Sequence, residues 1–266
     1  MEAATKTSAS RTNSVDTCQR KPSGPPTNTP LGNSQEVIAF STIVLNYVIP
    51  RVVKDLESQD VGPAQAFADS LRKAETEVPG IAFQIVSSIL EAQSPKLNVI
   101  EHLLKLTGSS SSPDSYLLAQ GGHYAELEQN AHEVKKILSS LPEIVLDRVR
   151  FLDNIKKIAL HLKNYLAALV HIAKELEQKY PQSTSIQRSL QYRRQEFSRA
   201  SRHFSEQLKV YFHDNSKAQN IYPSALALIA SNVQFSHKLK ELLLQLSSGN
   251  SAANGARAST NVIKDN

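Results

Sequence analysis

DRVRFLDNIKKIALHLKNYL, residues 147–166, decides the fold. Its apolar residues recur at spacings of three and four, the period of an amphipathic helix rather than of a half-buried strand. At roughly 100° per residue, Leu152, Ile155, Ala159, Leu162, Leu166 and the following Leu169 fall on one stripe. Lys156 and Lys163 share an edge of that stripe, with Val149, Leu160 and Ala167 close by. They stand two turns, or about 10.5 Å, apart. Solvated lysines usually occupy the far face, so this edge needs an explanation.

The next helical stretch repeats the arrangement. Ile186, Leu190, Phe197, Phe204, Leu208 and Tyr211 form a stripe, and Arg202 and Lys209 lie to one side with Ser198 and Ser205. If the two helices are antiparallel neighbours, the cations frame one shared apolar groove. Such a groove suits an amphipathic helix with acidic flanks. The competing reading is that the lysines snorkel at a core boundary, stems packed and ammonium groups in water. Periodicity alone leaves both readings open.

Outward from this region the chain is punctuated by proline. A first helix begins near Gln35 and is expected to end at Pro50. Pro63 sits near the start of another, where a missing N–H costs nothing. The VPG at 78–80 separates it from a helix at 81–93. SPK at 94–96 is read as the opening of one more, with Ser94 as N-cap and Pro95 at the first helical position. TGSSSSPDS at 107–115 reads as a linker. Four long helices follow, near 123–139, 142–179, 183–213 and 217–246, with short connections, which predicts an up-and-down four-helix bundle. The predicted domains are a disordered tail at 1–34, a small helical domain at 35–93, a linker helix and serine-rich linker at 94–121, the bundle at 122–246 and a second disordered tail at 247–266. Both tails are rich in small polar residues and lack the apolar surface that offsets chain entropy. In the small domain Val44, Leu45, Val48, Phe67, Leu71, Ile81, Ile85, Ile89 and Leu90 are many large apolar groups for so small a core. A dimer interface and ordinary packing both account for them.

Composition narrows the function. The net charge is +5, but residues 35–93 hold 4 Lys/Arg against 8 Asp/Glu, while 147–213 hold 13 against 6. Different partners are expected for the acidic and basic halves. Cys18 is the only cysteine, so no intramolecular disulfide or cysteine metal site forms. The 8 histidines show no metal-ligand spacing, and His161 projects to the polar side of its helix. No cofactor, metal or catalytic arrangement is expected. No helix-turn-helix, RNA-recognition or zinc signature is present, so nucleic acid is not an expected partner. A cytoplasmic location is the default, since the N-terminus lacks a signal-peptide core and no apolar run approaches the roughly 20 residues that span a bilayer. Binding of acidic lipid headgroups by charge is the alternative use of the basic half.

Several segments, LPEIVLDRVRFLDNIKKIA, RRQEFSRASRHFSEQLKVYF and AQAFADSLRKAETEVPG, resemble the programmed cell death protein 10 family, also called the cerebral cavernous malformation 3 family. DRVRFL followed by IKKIA is the most specific part, and the resemblance runs from about Tyr47 to Leu246. It implies an all-α protein: an N-terminal helical dimerisation domain followed by a four-helix bundle like the focal adhesion targeting domain. It implies an adaptor without catalysis. The N-terminal domain would pair with itself or with the tails of germinal centre kinases of the sterile-20-like class. The bundle would bind leucine-aspartate motif helices, as in paxillin and a partner cavernous malformation protein, and tether striatin. Phosphatidylinositol trisphosphate membranes are a further family association, as are sites at the Golgi and plasma membrane. The family's basic motif-binding positions align with Lys156, Lys163, Arg202 and Lys209, and its dimer contacts with Phe67, Ser70, Ile89 and Leu90. Arg202 stands where Lys is usual, Phe67 where Leu is familiar and Ser70 where Ala is. The chain also departs in its long N-terminal tail, its serine-rich linker and an insertion near NSKAQN at 215–220.

Overall fold

Proline, expected to end the first helix at Pro50, instead sits inside it. Helix α1 (Ser34–Ile43) runs into a π-helical turn (Val44–Val48) and on into α2 (Ile49–Glu57). The Ile49 N–H donates to the Val44 carbonyl, a five-residue step that widens the ladder. A proline ring clashes with the carbonyl four residues back in a regular α-helix, and the wider turn is the local solution. This computed structural model describes residues 34–109, 113–181 and 183–260, with side chains for 35–247 within them. The expectations for 1–33 (Cys18 among them), 110–112, 182 and 261–266 lie outside the described residues.

The continuous helix has a second consequence. Gln35–Glu57 is long and apolar enough to cross a bilayer by length and composition, contrary to the expectation that no run approaches that length. Here its Phe40, Ile43, Val44, Tyr47 and Ile49 side chains are buried in the protein core.

Helices α3 (Val61–Glu77) and α4 (Ile81–Gln93) follow, with Asp60 capping α3 through the Gly62 N–H at 3.0 Å. The turn between them depends on Gly80, whose φ is +99°. A Cβ there would also stand 2.8 Å from Val37 Cγ1, so a side chain is excluded by backbone and space alike. Glu75 caps α4 by accepting from Gly80 N (2.7 Å) and Ala82 N (3.0 Å). Buried Ser41 of α1 accepts from Phe83 N at 2.9 Å.

Helix α5 (Val99–Ser109) starts five residues after Ser94, not at it. Asn98 supplies the cap instead, its side-chain oxygen accepting from Glu101 N at 3.2 Å. The expected linker also changes character. Leu103, Leu104 and Thr107 of α5 are buried against α7 and α11, and a short α6 (Ser115–Ala119) begins at the end of the TGSSSSPDS segment.

The bundle consists of α7 (Gly122–Ser139), α9 (Arg148–Lys179), α10 (Thr184–His213) and α11 (Ile221–Thr260), with a single turn α8 (Leu141–Ile144) before α9 and a 3-10 stretch (Asn215–Asn220) before α11. The helix expected from Pro142 to Lys179 is therefore broken, because Asp147 leaves helical geometry to cap α9 through Val149 N and Arg150 N. Likewise Asp214 accepts from Ser216 N before α11, which starts at Ile221 rather than near Lys217. The α11 backbone runs on to Thr260, past Leu246, through a stretch that has no proline but holds Gly249 and Gly255. Among the described residues every regular element is helical, so the fold is all-α.

The N-terminal helix packs directly on the bundle. α1 lies along α11. Gln234 Nε2 donates to Thr42 Oγ1 (2.7 Å), while its Oε1 accepts from Arg193 Nη1 (2.7 Å), which ties α1, α11 and α10 together. Burying the apolar face of α1 against the bundle offsets the poor surface-to-volume ratio of a small unit.

Asp114, the N-cap of α6, accepts from Tyr116 N, Leu117 N and Lys240 Nζ, the last at 3.0 Å across to α11. Burial pushes its carboxyl up, but those hydrogen bonds prevail and hold it below the ordinary carboxylate value. The unfolded chain thus binds this proton more tightly. The stabilisation is complete above the unfolded value of about 4 and is lost as pH falls through the folded one. We expect Asp114→Asn to flatten the acid side of the stability profile in urea unfolding series; an unchanged profile contradicts the assignment.

Candidate functional site

The register of α9 against α10 is set by aromatic rings. Tyr165 meets Phe197 at 4.5 Å between centroids, and Phe151 meets Tyr211 at 5.0 Å and Phe212 at 6.0 Å. Phe235 of α11 adds an edge contact to Tyr165 at 6.2 Å. With 1.5 Å rise per residue, this pairing makes Lys163 level with Arg202 and Lys156 level with Lys209, to within about one turn.

The same contacts settle which flanks face each other. On α9 the side carrying His161 turns to α7, where its Nδ1 meets Asn130 Oδ1 at 3.0 Å, a packed position rather than the expected polar one. The opposite flank, with Leu152, Ile155, Ala159 and Leu166, therefore faces α10. On α10 the flank carrying Phe212, Ser205 and Ser198 faces α9. α9 packs closely on α7 and α10 on α11, whereas α9 and α10 meet chiefly through the rings. Ala159 and Ser205 are small and exposed, Leu152 is exposed, and Ile155, Leu166 and Ser198 are only partly buried, so the seam above the rings is an open apolar groove.

Lys156 and Lys163 stand on the α9 rim of this groove and Lys209 on the α10 rim, where Arg202 is shared with a second cleft between α1 and α10. All four are exposed. Among the described residues none of the four makes an ion pair within 4 Å, although neighbouring Lys157 is bound to Asp153 at 2.7 Å. Buried residues of α9 are centred on Ile158, Leu162, Tyr165, Leu169 and Ile172, so part of the expected stripe is groove wall rather than core.

The second set of expected positions lies apart from the groove. Phe67 is 43% exposed and Ile89 52% exposed. Ser70 is exposed one turn from Phe67 on α3, and Leu90 is partly buried against the core. Val52, Leu56 and Ile85 are exposed nearby in sequence on α2 and α4, so these three helices carry an uncovered apolar surface.

Sequence reasoning missed a third feature, a cleft of about 640 Å3 between α1 and α10. Ile38, Ala39, Tyr192 and Ala200 line it, and Glu36 Oε1 approaches His203 Nε2 at 3.5 Å beside it. Nothing local signals this cleft, because it exists only once α1 docks on the bundle. Among the described residues no group of three or more His, Cys, Asp or Glu is placed to hold a metal ion.

Comparison with known proteins agrees with this architecture. Residues 38–96 match the family model described as programmed cell death protein 10, dimerisation domain, and residues 97–187 match programmed cell death protein 10, C-terminal. Together they cover more than half of the chain. The chain belongs to the programmed cell death protein 10 family. A relative described as a programmed cell death protein 10 homolog, from Caenorhabditis elegans, is 27% identical over 176 residues, which is 65% of this chain and 79% of the relative. The dimerisation-domain match spans the exposed apolar surface of α2–α4. The C-terminal match includes the whole of α9 but ends at Gln187, so Arg202 and Lys209 lie beyond it.

Two tyrosines at the groove floor test the packing. The Tyr165 hydroxyl is buried with no hydrogen-bond partner, and burial, with Glu128 second, raises its pKa well above the ordinary value. The Tyr211 hydroxyl donates to the Val145 carbonyl at 2.7 Å. We expect Tyr165→Phe to be neutral or to stabilise by about 1 kcal/mol, and Tyr211→Phe to cost about 1 kcal/mol, by urea denaturation. Equal losses at both positions contradict this assignment of the two hydroxyls.

Proposed function

We propose that the protein is a non-catalytic adaptor with two protein-binding ends. Its bundle end takes an acidic amphipathic helix of the leucine-aspartate class, as in paxillin-like proteins or the cavernous malformation partner protein. The observation that carries this reading is the open apolar groove with unpaired Lys156, Lys163, Arg202 and Lys209 along its two rims. Leucines of the ligand enter between Leu152, Ile155 and Ser205, and its carboxylates meet the rims. The double variant Lys156→Glu, Lys163→Glu is expected to abolish binding of such a peptide in a calorimetric titration. Exposed lysines contribute little to stability, so the circular dichroism melt should stay put. Unchanged affinity sinks the groove assignment.

The N-terminal end pairs either with a second copy or with the tail of a germinal centre kinase. Family membership and the uncovered Phe67, Ile85 and Ile89 support this. Striatin binding by the bundle then joins kinase and phosphatase assemblies, in the cytoplasm and at the Golgi and plasma membrane, in cell survival, migration and tube development. Phe67→Asp with Ile89→Asp is expected to convert a dimer to a monomer in light scattering after size exclusion. A wild-type monomer that also ignores the kinase tail contradicts the pairing role.

A second reading, binding of phosphoinositide membranes, is favoured by one observation. Leu146 is 92% and Val149 80% exposed, beside exposed Arg148 and Arg150 at the start of α9. Aliphatic tips flanked by arginine suit an anionic lipid surface. On this reading Leu146→Ser with Val149→Ser weakens cosedimentation with phosphatidylinositol trisphosphate vesicles and leaves peptide binding unchanged. Equal sedimentation of wild type and variant removes it.

A further inference from the structure

A polar cavity of about 220 Å3 lies where the π-helical turn of the N-terminal helix meets α7 and α11. It is separate from the groove and from the dimerisation surface. Asn46 and Tyr47 come from the π-turn, Glu128, His132 and Lys135 from one face of α7, and Asn232 from α11. The π-turn matters here because its extra residue per turn shifts the frame of the side chains that follow. This places Asn46 and Tyr47 over the bundle.

The cavity holds polar groups that the protein leaves unmatched. Asn232 is only 4% exposed, yet neither its Nδ2 nor its Oδ1 has a hydrogen-bond partner. His132 Nδ1 is also buried and unpartnered. Buried polar atoms are almost always paired, so two such residues at one cavity form a functional signal. Lys135 is partly buried and makes no ion pair within 4 Å; its Nζ lies 5.6 Å from the centre of the Tyr47 ring. At the other end, buried Glu128 accepts from Asp114 N (2.9 Å) and Ser236 Oγ (3.1 Å), which leaves each of its oxygens a further acceptor direction. The two charged ends stand on one helix face, about two turns apart. Burial, the leading influence on both, pushes the Glu128 carboxyl up and pulls the Lys135 ammonium down, as expected for charges that lack full partners.

We propose that this cavity binds a small dipolar molecule of amino-acid class, its carboxylate on Lys135 and the Asn232 amide and its ammonium toward Glu128. The chemistry follows from charge balance. One carboxylate and one ammonium make the cavity neutral but strongly dipolar: Asp114 and Lys240 neutralise each other at 3.0 Å, and burial holds the lining His132 and His237 below the ordinary imidazole value, so both are neutral at pH 7. A simple anion would meet Glu128, and a simple cation would meet Lys135. A molecule carrying both charges meets neither penalty. A single water occupies roughly 30 Å3, so the volume accommodates a compact amino acid. A ligand held there would touch both the N-terminal helix and the bundle, and so clamp the joint between them.

The test uses the full chain. Calorimetric titration and nitrogen–proton spectra are recorded with a panel of α- and ω-amino acids from glycine to γ-aminobutyrate, with acetate and methylammonium as single-charge arms. Saturable binding of at least one dipolar member, tighter than either single ion by about 10-fold or more, is expected from the charge-assisted hydrogen bonds involved. The Asn232 side-chain amide resonance should shift along the same isotherm, a readout that needs no variant. Lys135→Met and Asn232→Leu should each weaken binding by about 10-fold or more. Absence of binding by the whole panel overturns the proposal, as do single ions binding equally well or an Asn232 resonance that stays fixed while heat is released.

Discussion

The tilted packing of Tyr165 against Phe197, continued by the edge-on contacts of Phe151 with Tyr211 and Phe212, is the constraint on which the rest of the site depends. Each large ring buried there contributes roughly 1.5–3 kcal/mol, and together the rings lock one register between α9 and α10. They form the floor of the seam, Phe212 remaining 47% exposed, and leave its upper walls in part to Ala159, Ser198 and Ser205, which are too small to close it. A bulkier pair at those positions would turn the groove into core. Acidic neighbours are few on these flanks, Asp153 one turn from Lys156 and Glu206 one turn from Arg202 and Lys209, and neither is within 4 Å of these four cations, so their field is available to a partner.

The second organising feature is the π-turn at Val44–Val48. It lets a proline sit within a long helix, and it rotates the second half of that helix relative to the first. The first half can then bury Phe40 and Ile43 against the bundle while α2 presents Val52 and Leu56 outward with α3 and α4. One helix thus serves two surfaces. The polar cavity beneath Asn46 and Tyr47 sits at the point where those two roles meet.

Much of this was legible in the sequence. The period of 147–166 gave the helix, and the seven-residue spacing of its lysines, repeated at Arg202 and Lys209, gave four positions that are all exposed. What was not legible has two causes, local geometry and distant partners. Pro50 reads as a stop because local rules do not anticipate a π-turn, and Ser94-Pro95 reads as a start although Asn98, four residues after Ser94, supplies the cap. The docking of α1 on α11 rests on Thr42–Gln234, separated by 192 positions. His161 looked polar until Asn130 was placed opposite it. The last two failures concern side chains whose partners are distant in the chain, which periodicity does not report.

The central claim is that the α9–α10 seam, not another surface, receives the partner helix. The most direct measurement is a chemical-shift map of the isotopically labelled protein titrated with an acidic, leucine-rich amphipathic peptide. The account predicts that the largest shifts fall on the flank of α9 from Leu152 to Leu166 and on the facing flank of α10 from Ser198 to Phe212. Shifts concentrated instead on the cleft between α1 and α10, around Ile38 and Tyr192, would contradict it.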